Sequence, residues 1–379
     1  MFRTVAEINL NNLAYNYLRI RERVPSNIYI MPIVKADAYG HGLIEVSKKL
    51  DSLGADLFGV ATVTEGETLR KSGIKKPILI LGGILKEDIS RIIENDLIPM
   101  IYSLSIARKY SMALNRNKKG FIHVKIDTGM TRLGILPEEV KEFFTELKRL
   151  PNIVVQGVCS HLSSAEEEDI TFTKEQIDKY IKSIEIIKKL GFSPLYYHIA
   201  NSAGFLNIDE IVGNLIRPGL ILYGAYPAEN LKNKIDLKPV MSFKTRILQI
   251  KEVPEKRAVS YGRTFITKRK SRLAVIAVGY ADGYSRALSN KGEVLIKGKR
   301  APIVGRVCMD LTIIDITNIA DVKEEDEVVL IGEGLNGNII TVDEVAEKIG
   351  TISYEVFCNI SKRVKRVYID SSNSGEIIK

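Results

Sequence analysis

Cysteine is scarce in this chain: Cys159, Cys308 and Cys358 are widely spaced and odd in number. That argues against a disulfide framework and against a Cys-x-x-Cys metal site, so no metal is expected. Long apolar runs are missing too. No stretch approaches the roughly 18 residues that a membrane helix needs, and the strongest, Pro77 to Leu85, has strand length. The opening Met-Phe-Arg-Thr-Val-Ala-Glu carries no apolar signal segment, which makes a cytoplasmic protein with no membrane partner the expectation. Low-complexity tracts and internal repeats are absent, and the absence of tryptophan decides nothing. Acidic residues are outnumbered, 46 against 55 basic, for a net charge of +9. The excess is spread along amphipathic segments rather than gathered on one face or tail, apart from small clusters such as Lys268-Arg-Lys-Ser-Arg272. Nucleic acid is therefore not an expected partner.

What the chain does have is a large apolar fraction, 45%, enough for a substantial core. Its first part alternates strand-like and helix-like segments. Eight apolar runs read as strands: Ile28–Val34, Leu57–Ala61, Pro77–Leu81, Ile98–Tyr102, Phe121–Ile126, Ile153–Ser160, Leu195–Ile199 and Leu215–Leu222. Between them, Val140, Phe143, Phe144, Leu147 and Leu150 follow helical spacing. So do Ile177, Tyr180, Ile181, Ile184, Ile187 and Leu190, closed by Gly191 as a cap. Eight strands with crossover helices in about 200 residues predict an α/β fold with an N-terminal (β/α)8 barrel of the TIM type. A doubly wound open sheet is the competing topology, and strand counting does not separate the two. After a Pro- and Asn-containing stretch, Pro227–Asn233, short β-branched runs at Val240–Ile250, Leu273–Gly279, Glu293–Ile296, Ile303–Ile316 and Glu327–Ile331 predict a C-terminal β-rich domain. Thr4–Leu10 alternates like a strand and is expected to pair with it. The expected division is a barrel over residues 10–232 and a β-rich domain built from residues 1–9 and 233–379.

Barrel enzymes do their chemistry at the C-terminal ends of the strands. Lys35 stands at the end of the first run, followed by Ala36-Asp-Ala-Tyr-Gly-His-Gly42. An amine at the mouth of a parallel strand is placed for carbonyl chemistry, including a Schiff base with a substrate or with pyridoxal phosphate (PLP). Tyr39 follows the same strand. Lys125, Asp127 and Arg132 end the fifth run, His161 the sixth, Asn201 and Ser202 the seventh, Arg217 and Gly219 the eighth. Loops after the seventh and eighth strands often hold phosphate. Ser202 offers a hydroxyl there and Gly219 a close backbone approach. The set as a whole suits a phosphate-bearing cofactor. Gly332-Glu-Gly-Leu-Asn-Gly337 also fits a dinucleotide fingerprint. No helix opens directly after it, however, and Thr341 with Glu344 reads as a later helix start, so these are turn glycines.

Val34–Gly42, Lys125–Gly134, Ser160-His161, His198–Ser202, Arg217–Leu220, Ser260-Tyr-Gly262, Val278–Gly283, Gly305–Asp310, Thr351–Tyr354 and Ile360–Val364, in this order, resemble the alanine racemase family. The likeness runs from near residue 5 to near residue 369. It implies a fold type III, PLP-dependent isomerase that interconverts L-alanine and D-alanine with two bases, supplies D-alanine for peptidoglycan, and works as a homodimer with shared active sites. The residues themselves also allow a serine, lysine or broad-specificity racemase, or a PLP-binding protein without racemase activity. A decarboxylase of related fold is disfavoured by an arginine, Arg217, where a carboxylate is wanted.

The resemblance also carries roles onto matching positions. Lys35 holds PLP and serves as base on one substrate face, for the D-isomer proton; Tyr261, from the partner chain, serves the other. Tyr39, Ser202, Gly219, Leu220 and Tyr354 would contact the phosphate, with His161, Asn201 and Arg217 also around the cofactor. Arg217 faces the pyridine nitrogen and links through His161 to Tyr261. Arg132 and the Met309 backbone N–H would meet the substrate, with Asp310 near the partner's site. Tyr280, Arg286 and Ile352 match the substrate passage, where Glu166 replaces a more usual aspartate. Met130 and Thr131 before Arg132 are a milder departure. Lys125 matches a position often carbamylated; unmodified, it would bond to Asp127.

Overall fold

The first strand, β1 (Thr4–Asn9), is followed by a helix, Leu10–Glu22, and then by eight short strands: β2 (Tyr29–Ile30), β3 (Phe58–Val60), β4 (Ile78–Ile80), β5 (Ile98–Ile101), β6 (Gly120–Lys125), β7 (Ile153–Cys159), β8 (Tyr196–His198) and β9 (Leu215–Ile216). This computed structural model describes residues 2–115 and 118–370. Strands β3 to β8 pair in sequence order in one parallel sheet, and β2 pairs with β9, also in parallel. Backbone hydrogen bonds join the two sheets at both seams. Asp56 N–H to Ile30 O (3.1 Å) and Gly59 N–H to Pro32 O (3.0 Å) tie β2 to β3. Asn214 N–H to Tyr197 O (3.0 Å) and Arg217 N–H to Ala200 O (3.1 Å) tie β8 to β9. The ring is closed, so the architecture is the barrel and not the open sheet.

The barrel strands β3, β4 and β5 are buried along their whole length, as continuous apolar runs in a covered parallel sheet should be. Outside them, the helix Val140–Leu147 buries Val140, Phe143, Phe144 and Leu147, and the helix Thr171–Lys189 buries Ile177, Tyr180 and Ile187. Gly191 follows that helix with φ 81°, as its cap position predicts. Two strands differ from the sequence reading. The first run shrinks to Tyr29–Ile30 because Pro32 has no N–H to donate, although Met31 and Ile33 still bond to Ile216 O and Pro218 O. The eighth stops at Ile216, where Arg217-Pro-Gly219 breaks the ladder and Leu220–Tyr223 turns into a 3-10 helix.

The rest of the chain supplies β10 (Met241–Val253), β11 (Ala258–Val259), β12 (Phe265–Ile266), β13 (Ser271–Ile276), β14 (Glu293–Ile296), β15 (Lys299–Pro302), β16 (Thr312–Asp315), β17 (Glu327–Glu333), β18 (Ile339–Ile340) and β19 (Lys365–Ile369). A nine-stranded sheet has the path β15-β14-β17-β10-β1-β19, with β13, β16 and β18 attached beside it. β1 therefore pairs with the β-rich part, antiparallel to β10 and parallel to β19. The run Ile303–Ile316 is strand only over its last part, β16. Gly305, at φ 80°, turns the chain out into a loop that carries Met309 and Asp310. The glycine-rich decoy is a hairpin: Gly332 pairs with Ile340, and the helix Val342–Ile349 starts only after Thr341, whose Oγ1 accepts the Glu344 N–H (3.0 Å). The Glu344 carboxylate closes no capping box and instead pairs with Arg300 and Lys348. Among the described residues, no helix is long and apolar enough to cross a membrane.

Candidate active site

Lys35 opens an unusual turn at the mouth of the barrel. Ala36, Asp37, Ala38 and Tyr39 all have φ between 52° and 55°, the left-handed region, and none is glycine. The turn is held from outside. Glu65 Oε1 accepts the Ala36 N–H (2.6 Å), while its Oε2 accepts those of Ala61 (2.8 Å) and Thr62 (3.2 Å) at the start of the helix Val63–Lys71. Asp37 Oδ1 accepts the Leu43 N–H (2.7 Å). The turn leaves the Lys35 amine partly buried, and burial, then Arg132, lowers its pKa; Arg217 adds to this and Glu65 opposes it.

The end of β6 and the stretch after β9 bring further cations to the same mouth. Lys125 ends β6 at the register position of Cys159 on β7, which in turn pairs with His198 on β8. Lys125 is only 7% exposed. It has no carboxylate partner among the described residues, and the hydrogen bond its amine makes there is a long one, 3.4 Å, to Ile126 O. Burial first, with Arg217 and Arg132 adding to it, brings its pKa down to about 8. The expected bond to Asp127 is not formed, because Asp127 is engaged elsewhere. It accepts the backbone N–H groups of Gly129, Thr131 and Arg132, each at 3.0 Å, folding the loop that presents Arg132. Burial pushes the Asp127 carboxyl upward, but these amides outweigh it and hold it below the usual range.

Arg217, on the stretch after β9, is buried and has no carboxylate beside it among the described residues. It donates to His198 Nδ1 (2.8 Å), His161 Nδ1 (3.0 Å), Ser160 O (2.8 Å) and Ile199 O (2.9 Å). His161 is held neutral well below its ordinary range, by burial and then by Arg217, Lys125, Arg132 and Lys35. All four cations predicted at the strand ends thus act on one imidazole. Their convergence suits a ligand carrying more than one negative charge.

Beside this cluster the loops after β8 and β9 meet. Asn201 caps the short helix Ser202–Asn207 through the Gly204 N–H (2.9 Å), and Ser202 Oγ meets the Gly219 N–H (2.9 Å). Leu220 opens the 3-10 helix that follows. A Cβ on Gly219 would lie 2.7 Å from the Tyr39 hydroxyl, so only glycine leaves that space open. Tyr39 packs against Tyr223 and Tyr354, with ring centroids 4.9 and 5.7 Å away. Neither the Tyr39 nor the Tyr354 hydroxyl has a hydrogen-bond partner among the described residues, which leaves two donors for a ligand. Burial, then Glu166, raises the Tyr354 pKa to about 12, so Glu166 stands near this rim.

Tyr261 and Met309 are not brought to this site within one chain. Tyr261 is 71% exposed on the β-rich part, in a turn where Ser260 (φ 61°) bonds through Oγ to Arg306 O (2.7 Å). No hydrogen bond joins it to a barrel residue among the described ones. Met309 is exposed; its carbonyl accepts the Ala281 N–H (3.0 Å), and its own N–H has no partner among the described residues. Tyr280 and Ile352 are exposed as well. Sequence reasoning gave no role to Glu65 or to the pair His123 and His198. The signature Thr62-x-x-Glu65 was available for the first, but only as a helix cap.

Comparison with known proteins adds an independent line. The family model for the alanine racemase N-terminal domain matches residues 8–227, and that for the alanine racemase C-terminal domain matches residues 240–368. An alanine racemase of Halothermothrix orenii is 44% identical over 96% of this chain and 96% of its own length. The structure of an alanine racemase of Clostridium difficile superposes with a TM-score of 0.94 at 38% identity, over 100% of this chain and 98% of its own. That of Bartonella henselae, which has covalently bound pyridoxal phosphate, gives 0.88 at 28% identity over 97% of this chain and 100% of its own.

Proposed function

The chain belongs to the alanine racemase family, and from that premise we propose that Lys35 and Tyr261 are the two acid–base groups of a site that interconverts L-alanine and D-alanine. PLP is the cofactor, and when bound it supplies the electron sink that an acid as weak as the substrate Cα–H requires. A positioned base alone contributes about 10²–10⁴ in rate, roughly 3–5 kcal/mol. Inversion also needs a proton taken from one face and another returned to the opposite face. Lys35, with its lowered pKa, is suited to hold or release a proton on the first.

Tyr261 serves the second face, and we place it across a homodimer with shared sites. The observation that supports this is its exposure on the β-rich part, with no hydrogen bond to a barrel residue among the described ones. His161 accepts from Arg217 at Nδ1, so its proton sits on Nε2 and can be donated to the tyrosine oxygen. Arg217 remains protonated and cannot readily give a proton to the cofactor ring, which limits the sink and with it side reactions. The phosphate is held by Tyr39, Ser202, Gly219, Leu220 and Tyr354, with Asn201 shaping the helix start. Arg132 pairs with the substrate carboxylate, and the partner's Met309 N–H completes that contact. Lys125 carries a carbamate, whose negative charge orients Arg132. The enzyme acts in the cytoplasm, where its D-alanine serves peptidoglycan synthesis.

The test is to incubate the purified protein with PLP and L-alanine, with L-serine and L-lysine in parallel, and to follow the D-isomers with a stereospecific oxidase. D-alanine should form fast and the others little. Lys35→Ala should lose both turnover and the absorbance band of the lysine-linked cofactor; a retained band would overturn its assignment.

A further inference from the structure

Arg217 is one end of a hydrogen-bonded line that leaves the site and runs into the barrel wall. His198 Nδ1 lies 2.8 Å from Arg217 Nη1, and His198 Nε2 lies 2.8 Å from His123 Nδ1. Both imidazoles are fully buried. The direction of the line follows from chemistry. A guanidinium only donates, so His198 Nδ1 accepts and the His198 proton resides on Nε2. His123 Nδ1 then accepts that proton, and its own resides on Nε2, close to the Gln156 carbonyl oxygen, although the two form no hydrogen bond of good geometry.

We propose that His123, which touches neither substrate nor cofactor, is a positioning residue for racemisation: it accepts the His198 Nε2 proton and so anchors that ring, and His198 in turn holds Arg217 in its working orientation. The inference rests on the reading above that Arg217 faces the cofactor ring. The wall is shaped for this ring. Gly157 is the register partner of His123 on β7, and a Cβ there would come within 2.4 Å of His123 Nδ1. Any larger residue would expel the imidazole from its place. Burial keeps His123 unprotonated down to about pH 3 and His198 well below its ordinary range, so the line stays neutral and one-directional in working conditions. An arginine that loses this support keeps its charge but not its aim, and misplacement on the order of 1 Å can cost up to about 100-fold in rate.

The experiment compares the holoenzyme with His123→Leu, which removes the acceptor, and His123→Asn, whose carboxamide oxygen can stand where Nδ1 stood. Long-range ¹H–¹⁵N spectra of ¹⁵N-histidine-labelled wild type should show His198 as the neutral Nε2–H tautomer. His123→Leu should lower kcat by about tenfold or more with KM for alanine and PLP content little changed. His123→Asn should recover most of the loss. An Nδ1–H tautomer at His198, a wild-type kcat in His123→Leu, or equal losses in both variants would overturn the proposal. If His123→Leu fails to fold, the wild-type tautomer and the His123→Asn kinetics still decide it. A wild-type holoenzyme that does not racemise alanine at all would sink the functional reading instead, whatever the spectra show.

Discussion

A buried lysine without a carboxylate partner is costly as a cation and reactive as an amine. Lys125 is such a residue, with a pKa near 8 and Arg132 and Arg217 close enough to disfavour its charge. A neutral amine is the form that takes up CO₂, and the resulting carbamate exchanges cation–cation repulsion for attraction to Arg132. A ¹³C signal for a protein carbamate is expected under ¹³C-bicarbonate and should vanish in Lys125→Ala; no such signal in the wild type would refute the modification. At this scale the sequence was informative about which residues matter and much less so about their partners. Lys125 and Asp127 lie two apart on one strand end, which suggests a pair. What decides otherwise is the loop from Gly129 to Arg132, whose backbone N–H groups satisfy the carboxylate. Hydrogen bonds to main chain leave no residue-type signature, and the pairing of His123 with His198, 75 residues apart, leaves none either.

Among the elements, the left-handed turn after Lys35 carries the largest stored strain. Each non-glycine residue in that conformation costs roughly 1–2 kcal/mol, and four stand in a row. Glu65 offsets part of this by gripping the turn and a helix start together. Glu65→Ala should therefore lower unfolding stability by about 1.5–3 kcal/mol, the scale of a hydrogen bond to a charged group. Denaturant melts of the two proteins would measure it, and an unchanged midpoint would show that the turn is held by other contacts. The elements themselves were largely legible: eight apolar runs of strand length became eight barrel strands. The misjudged ends lie where proline or glycine interrupts an apolar run. At Pro32, Pro218 and Gly305 composition still reads as strand while the backbone has lost a donor or turned aside. The left-handed turn was beyond reach, because Ala36, Ala38 and Tyr39 have little propensity for it and one of the groups that hold it, Glu65, lies 29 residues away.

For the molecule as a whole, the decisive question is whether two chains build one site. Co-expressing Lys35→Ala with Tyr261→Ala should restore activity in the mixed dimer, since one of its two sites would then hold both intact residues. Each homodimer should be nearly inactive, and a mixed population no better than either parent would disprove the shared site. Acid offers a second whole-molecule test. His41 is buried with Nδ1 on the Ala38 and Tyr39 carbonyls, and burial lowers its pKa from 6.5 to about 3. The unfolded chain binds that proton between these values and the folded chain does not. Stability is thus fully present above pH 6.5 and is lost as pH falls toward about 3, at roughly 1.4 kcal/mol per pH unit for each such histidine. His123 adds to the same slope. The melting temperature should fall steadily from pH 6.5 to 4.5, and a flat profile would contradict the burial of these rings.

The position of β1 has a consequence for how this protein is made. Its neighbours in the sheet, β10 and β19, follow it in the chain by hundreds of residues. A ribosome adding about 5–20 residues per second delivers the first of them only after roughly ten seconds or more, and the last one later still. During that interval the barrel can close, while the opening strand waits with its ladder edges unpaired. Shielding of a nascent strand, rather than of the barrel, is then the step at which crowding or a slow codon would be felt.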